Sequence, residues 1–284
     1  SEPRIAWVAK ARAVLGGIWK SVRLETRADE YIADIFLRTV SVDMAAKTAR
    51  LVADFTVSSN RNAMRGARLV LSGKCDGSEF CVKHDLWHNV GRFDFTVQDA
   101  RFWMPRNYGE PNLYEVTATL ERDGKTVSER KFKTGIRTVV LERTSTTDQE
   151  GSGEFCFRIN GQKVFAMGTN WVPVDAFHSR DEERLPEILP MLDDLGCNIV
   201  RCWGGNVYES DIFYDYCDEH GIMVWQDFSM ACAAYPQDET YRKIFEPEIV
   251  SVVKRLRGRA CLVLWAGDNE CDYFYDDPQK TAIT

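Results

Sequence analysis

The feature that most constrains the fold is a change of hydrophobic period near residue 142. Before it, short segments rich in Val, Phe, Thr and Tyr alternate with turn residues: 31–43, 49–59, 67–73, 89–97, 113–122 and 125–143. Asp-Gly steps at 76–77 and 123–124 punctuate them. Six or seven strands over about 115 residues, with no helical period, predict an antiparallel β-sandwich. After it, apolar runs alternate with amphipathic helical stretches. A polar, Gly-rich linker (144–153) leads into a hairpin, where FCFRI and KVFAMG flank Asn160-Gly161; the Asn-Gly step supplies the positive φ angles of a two-residue turn. Strands are then expected at 163–170, 197–204, 222–228 and 260–267. Helices are expected at 182–195, ended by Gly196, at 210–221 with Ile212, Phe213 and Tyr216 on one face, and at 246–258, begun or bent at Pro247. Continuous apolar strands separated by amphipathic helices imply a parallel sheet covered by helices.

Composition narrows the function. The 284 residues carry a net charge of −7, which argues against bulk electrostatic binding of nucleic acid or anionic lipid. No apolar run approaches the roughly 18 residues of a membrane span. Arg4, Lys10 and Arg12 interrupt the apolar positions at the start, so no signal-peptide core forms there. The 9 cysteines are odd in number and scattered, unlike a disulfide framework; Cys202 and Cys261 sit in apolar strands and read as small core residues. Cys75, Cys81, His84 and His88 present four candidate zinc ligands within a short span. The gap between the cysteines is too long for a usual knuckle and the stretch reads as a strand, so no metal or cofactor is expected. Gly204-Gly205 is not a nucleotide-binding fingerprint.

In parallel β/α architectures the chemistry sits at the carboxyl ends of strands. Here those ends carry Asn170 and Trp171, then Arg201 and Trp203, then Asp227, then Asp268, Asn269 and Glu270. A plain core would place Val or Leu there. Tryptophan faces suit the apolar C–H face of a sugar ring, and a carboxyl group in a partly apolar cleft suits general acid catalysis.

From Gly168 onward the chain resembles glycoside hydrolase family 2, and within it the β-mannosidase branch, through GTNWVPVDAF (168–177), NIVRCWGGNVYESDIFYDYCDEHGIMVWQDFSMACAAYP (198–236) and VVKRLRGRACLVLWAGDNE (252–270). FWMPRNYGEPNLYEVT (102–117) resembles that family's sandwich domain, and GGIWKSVRLE (16–25) the exit from its N-terminal jelly roll. The resemblance implies a multidomain β and α/β chain: a jelly-roll remnant (1–25), an immunoglobulin-like β-sandwich (26–143) and the first half of a (β/α)8 TIM barrel (144–284). It implies a retaining exo-glycosidase acting on terminal β-mannosides, with an oligosaccharide or glycoside as substrate. Glu270 would be the general acid/base and Asn269 would hydrogen-bond the sugar 2-hydroxyl; Arg201, Trp203, Asp227, Trp171 and Asn170 are substrate-binding candidates. Asn206 stands where the branch shows a third glycine, and Asp268 and Cys271 depart from its usual neighbours of the Asn-Glu pair. The family also includes exo-β-glucosaminidases, β-galactosidases and β-glucuronidases. A non-catalytic carbohydrate-binding or scaffold protein is the reading from another class.

A whole barrel needs roughly 250 residues, and only four strand–helix steps are visible. Asp272, Asp276 and Asp277 follow Glu270 too closely in sequence to face it across a barrel. The expectation is a piece of a longer glycosidase that holds the acid/base and not the nucleophile, is inactive alone, and self-associates through an open barrel edge.

Overall fold

The computed structural model describes residue 22 and residues 24–61, 64–144 and 153–275. Most of the jelly-roll resemblance at 16–25, most of the linker, and Asp276 and Asp277 lie outside the described residues.

The first unit consists of β1 (Tyr31–Asp43), β2 (Thr48–Ser58), β3 (Ala67–Cys75), β4 (Ser78–Asp85), β5 (Val90–Val97), β6 (Tyr114–Arg122) and β7 (Lys125–Thr134). All pair antiparallel, in sheets ordered β1-β2-β5 and β4-β3-β6-β7. Alternation sets their facing: Ala67, Leu69 and Leu71 of β3 and Tyr114, Val116, Ala118 and Leu120 of β6 point into one core with Leu51, Ala53 and Phe55 of β2. At one end of this sandwich Glu30 and Arg122, both buried, form a two-point ion pair with oxygen–nitrogen distances of 3.1 and 2.5 Å.

The segment expected as one strand over 125–143 divides. β7 ends at Thr134, and β8 (Val139–Arg143) leaves the sandwich to pair with β9 (Phe155–Ile159), which pairs in turn with β10 (Gln162–Val164). Asn160 (φ 51°) and Gly161 (φ 80°) make the β9–β10 turn. The strand expected at 163–170 likewise breaks into β10 and β11 (Gly168–Trp171). Asn198 bridges the break, accepting from Met167 N and donating to Phe165 O.

Beyond it lie α1 (Asp181–Ile188), α2 (Pro190–Asp194), β12 (Ile199–Cys202), α3 (Asp211–His220), β13 (Met223–Asp227), α4 (Glu239–Leu256), β14 (Leu262–Ala266) and α5 (Asp272–Tyr275). The parallel sheet is ordered β11-β12-β13-β14, each strand beside its sequence neighbour. Three helix expectations need correction. The helix at 182–195 is two, because Pro190 has no N–H to continue the ladder. The last long helix begins at Glu239, where Asp238 caps it by accepting from Tyr241 N at 2.8 Å, and Pro247 lies inside it. α3 buries Phe213, Tyr214 and Cys217, while Ile212 is exposed, so its inner face is rotated by about one position.

The two units dock tightly. Segment 102–113 splits its motif: Phe102 enters the sandwich core, while Trp103 and Met104 enter the core beneath the parallel sheet. Trp103 Nε1 donates to Asp218 O at 2.8 Å. Arg137 ends among main-chain carbonyls, donating to those of Ala260, Arg259 (3.1 Å) and Leu262 (2.6 Å) at the entry to β14. Arg257 pairs with Asp34 at 2.5 Å.

Candidate active site

Parallel register places Asn170, Arg201 and Trp225 side by side across β11, β12 and β13. Partners in a parallel ladder share a face, and this one opens onto a cavity of about 1050 Å³ that Phe155, Phe165 and Ile199 also line. Phe155 and Phe165 are well exposed there. Residues one step on, Trp171, Cys202 and Gln226, share the opposite face, toward the helices.

Trp171 is therefore not on the open face. It is 5% exposed, its ring lies 5.0 Å from that of Phe213 in α3, and its indole N–H donates to Glu209 Oε1 at 2.9 Å. The expectation of a sugar-facing Trp171 is corrected by strand parity: with Asn170 facing the cavity, its neighbour must face away. Asn170 itself is exposed.

At the carboxyl ends of β12 and β13, Arg201 binds Asp227 through two contacts, Nε to Oδ1 at 3.2 Å and Nη2 to Oδ2 at 2.6 Å. Asp227 is 1% exposed, and its Oδ2 also accepts from Gly204 N at 3.1 Å. Its carboxylate is thus consumed within the protein, so its direct role is to hold Arg201 and the turn after β12 rather than to meet solvent. Arg201 also lies over the Trp225 ring, 5.6 Å from its centroid. The Arg201 Nη2 that meets Asp227 donates as well to Asn269 Oδ1 at 2.9 Å. A guanidinium only donates, so the Asn269 amide must turn its oxygen inward and its NH2 outward.

Asn269 is buried and Glu270, the next residue, is exposed rather than set in a partly apolar cleft. The loop after β14 is locked to the loop after β13: Asn269 N donates to Met230 O at 3.0 Å, and Cys232 N to Asn269 O at 2.9 Å. Cys232 and Glu270 both hold positive φ, 51° and 59°. Such backbone costs about 1–3 kcal/mol per residue and gathers at functional sites. Asp268, one of the departures from the family pattern, accepts from Cys271 N at 3.0 Å and closes this turn. Trp203 is partly exposed and covers Gly205, where a Cβ would meet its ring at 2.0 Å. Trp265 stacks on Phe228 at 5.1 Å.

Several contributors carried little sequence signal. Glu209 is 2% exposed, accepts from Trp171 and from Asn206 Nδ2 (3.1 Å), and burial raises its pKa. Asn206, the residue in place of the branch's glycine, stands out in the sequence as an anomaly, but its partner does not. Cys232 and Trp225 show nothing beyond their apolar surroundings. Away from the sheet, His84 stacks on Phe93 at 4.3 Å and Cys81 is exposed. Among the described residues no group of three or more His, Cys, Asp or Glu side chains is arranged to hold a metal, and no helix is long and apolar enough to cross a membrane.

Residues 30–137 match the profile of Glycosyl hydrolases family 2. Over 268 residues the chain is 36% identical to β-mannosidase B of Aspergillus terreus, covering 93% of this chain and 30% of that protein. A β-mannosidase of Capra hircus is 40% identical over 169 residues, 59% of this chain and 19% of that protein. Among solved structures, a β-D-mannosidase from Dictyoglomus thermophilum superposes with a TM-score of 0.78 at 33% identity, over 89% of this chain and 31% of that one. A β-glucuronidase of Bifidobacterium dentium shares the fold, with a TM-score of 0.69 at 22% identity over 89% of this chain and 42% of that one. The chain belongs to glycoside hydrolase family 2. Within that family it is β-mannosidase-like, and it spans about 30% of the length of curated β-mannosidases such as the Aspergillus terreus protein.

Proposed function

We propose that this chain carries the acid/base side of the active site of a retaining exo-β-mannosidase that hydrolyses terminal β-mannosides. In this reading residues 1–25 are the exit from a jelly-roll domain, 26–143 an immunoglobulin-like sandwich that continues through the strand pairing with the hairpin, and 144–284 the opening half of a (β/α)8 barrel. The observation that carries it is the network joining Asp227, Arg201 and Asn269, which fixes Asn269 beside Glu270 at the carboxyl ends of three parallel strands.

Glu270 would protonate the glycosidic oxygen as the bond breaks, then take the proton of the water that releases the sugar. The outward amide of Asn269 has one N–H against Cys232 and one directed to the sugar 2-hydroxyl, a contact that strengthens as the oxocarbenium-like transition state forms. Arg201 and Asn170 supply polar edges of the subsite and Trp203 a stacking face. Asp227 holds Arg201, and Trp171 with Glu209 holds the turn from beneath. A retaining mechanism needs a second carboxylate about 5–5.5 Å from the first. Asp227 is occupied by Arg201, so the nucleophile is proposed to come from outside these 284 residues. The isolated chain should then turn over very slowly, and the one-sided strands β11 and β14 with the exposed Phe155 and Phe165 should favour self-association.

The test is hydrolysis of an alkyl β-mannoside by the protein that carries this chain with its remaining barrel strands, before and after Glu270→Gln. A loss of about 10²–10⁴-fold is expected. Activity retained within a few fold, or a preference for β-glucuronide or β-galactoside, would refute the proposal. Sugar binding without any turnover in the unmodified protein would favour a carbohydrate-binding scaffold.

A further inference from the structure

We propose that Cys232 is the positioning residue of the Asn269–Glu270 pair, its thiol the last link of a directed hydrogen-bond relay from the buried ion pair to the acid/base. The proposal rests on the reading of Glu270 as acid/base. Four side chains carry it. Arg201 Nη2 donates to Asn269 Oδ1 at 2.9 Å, Asn269 Nδ2 donates to Cys232 Sγ at 3.3 Å, and Cys232 Sγ donates to Glu270 Oε2 at 3.6 Å. The direction is forced at both ends: a guanidinium can only donate and a carboxylate can only accept. Every donor therefore points the same way, the arrangement in which successive hydrogen bonds polarise one another.

The backbone is organised around that thiol. Cys232 N donates to Asn269 O, and Ala231, one residue earlier, is bridged to Asn269 and held by the Tyr235 hydroxyl at 2.9 Å. Cys232 adopts φ 51° and Glu270 φ 59°, so two strained residues face each other across the contact. A relaxed backbone at either would turn its side chain out of the relay. The thiol must be protonated to donate. Burial raises its pKa, and Glu270 raises it further while Asn269 works against them. Cys232 thereby sets the rotamer of the exposed Glu270, which has no buried wall of its own.

Two measurements test this. In the chain itself, iodoacetamide alkylation of Cys232 is followed by peptide mass spectrometry, with exposed Cys81 as internal reference. Glu270→Gln removes a neighbouring anion and so increases the thiolate fraction. Each tenfold gain in thiolate is offset by about threefold lower nucleophilicity, so alkylation should accelerate by about threefold for each such gain. A Cys232 rate that changes no more than that of Cys81 overturns the relay. In the protein carrying this chain, Cys232→Ala should lower kcat for a β-mannoside about tenfold, the worth of one hydrogen bond, with KM within about twofold. Cys232→Ser, which keeps the donor and acceptor, should recover at least half of kcat. Equal kcat in the Ala and Ser variants, or a loss confined to KM, overturns the positioning role. If alkylation responds as stated but the unmodified protein hydrolyses no glycoside, the relay stands and the acid/base assignment of Glu270 falls.

Discussion

Replacing Asp227 by alanine leaves the Arg201 guanidinium against a void where its partner stood. Asp227 is almost wholly buried and accepts from Arg201 twice and from Gly204 N once. Removing one member of a buried pair costs about 3–5 kcal/mol. The Arg201 side chain is 27% exposed, so water recovers part of its hydration and the low end applies. The orphaned Gly204 N–H adds about 1 kcal/mol. Asp227→Ala should therefore lose about 4 kcal/mol, which at an m-value of about 2–3 kcal/mol per molar urea moves the unfolding midpoint down by roughly 1.3–2 M. Tryptophan fluorescence reports the transition, since Trp225 lies under Arg201. The companion variant Arg201→Met with Asp227→Leu removes both charges, and should recover all but the contributions of the orphaned Gly204 N–H and Asn269 Oδ1, about 1 kcal/mol each. A loss below about 1 kcal/mol for Asp227→Ala, or a double variant no better than the single, would show that the pair does not hold the strand ends together.

Three further outcomes are expected. Burial raises the pKa of Glu209, so its contribution to stability is full below the ordinary carboxylate range and is lost as pH rises through the folded value. Glu209→Gln, which keeps an acceptor and cannot ionise, should gain progressively on the parent in thermal unfolding as pH rises above the ordinary carboxylate range; a difference that stays constant as pH rises would contradict the burial argument. Gly168→Ala should disrupt β11–β12 pairing, because its Cβ would lie 1.8 Å from Ile199 O, and amide exchange at Thr169 and Asn170 should quicken by about tenfold or more if the backbone is displaced. Arg137→Met removes the donor to three carbonyls at the entry to β14, leaving acceptors orphaned at about 1–3 kcal/mol; limited proteolysis between the sandwich and the sheet should accelerate, and an unchanged cleavage rate would mean that Trp103 and Arg257 suffice for docking.

Much of the architecture was readable from period alone. The alternation in β3 and β6 survives burial intact, the Asn160-Gly161 turn falls where its dipeptide demands, and four apolar runs become four parallel strands in sequence order. The errors fall where local pattern carries no decisive information. Pro190 splits a helix whose leucine spacing crosses it, Asp238 starts α4 well before its apolar stripe begins, and the inner face of α3 differs by one residue from the most apolar one.

The sequence by itself determined the strand ends and put Asn170, Arg201, Asp227, Asn269 and Glu270 at them, because the length of an apolar run marks where a buried strand must stop. Only the tertiary structure decided what each side chain does there. A strand buried on both faces has no polar face to fix its parity, so Trp171 and Asn170 were interchangeable until β11 was registered against β12. Likewise, Asp227 reads as a free carboxylate until Arg201 reaches it, and Cys232 as a core thiol until Asn269 and Glu270 flank it. Those contacts join residues 26 to 68 positions apart, a separation at which no local pattern reports a partner.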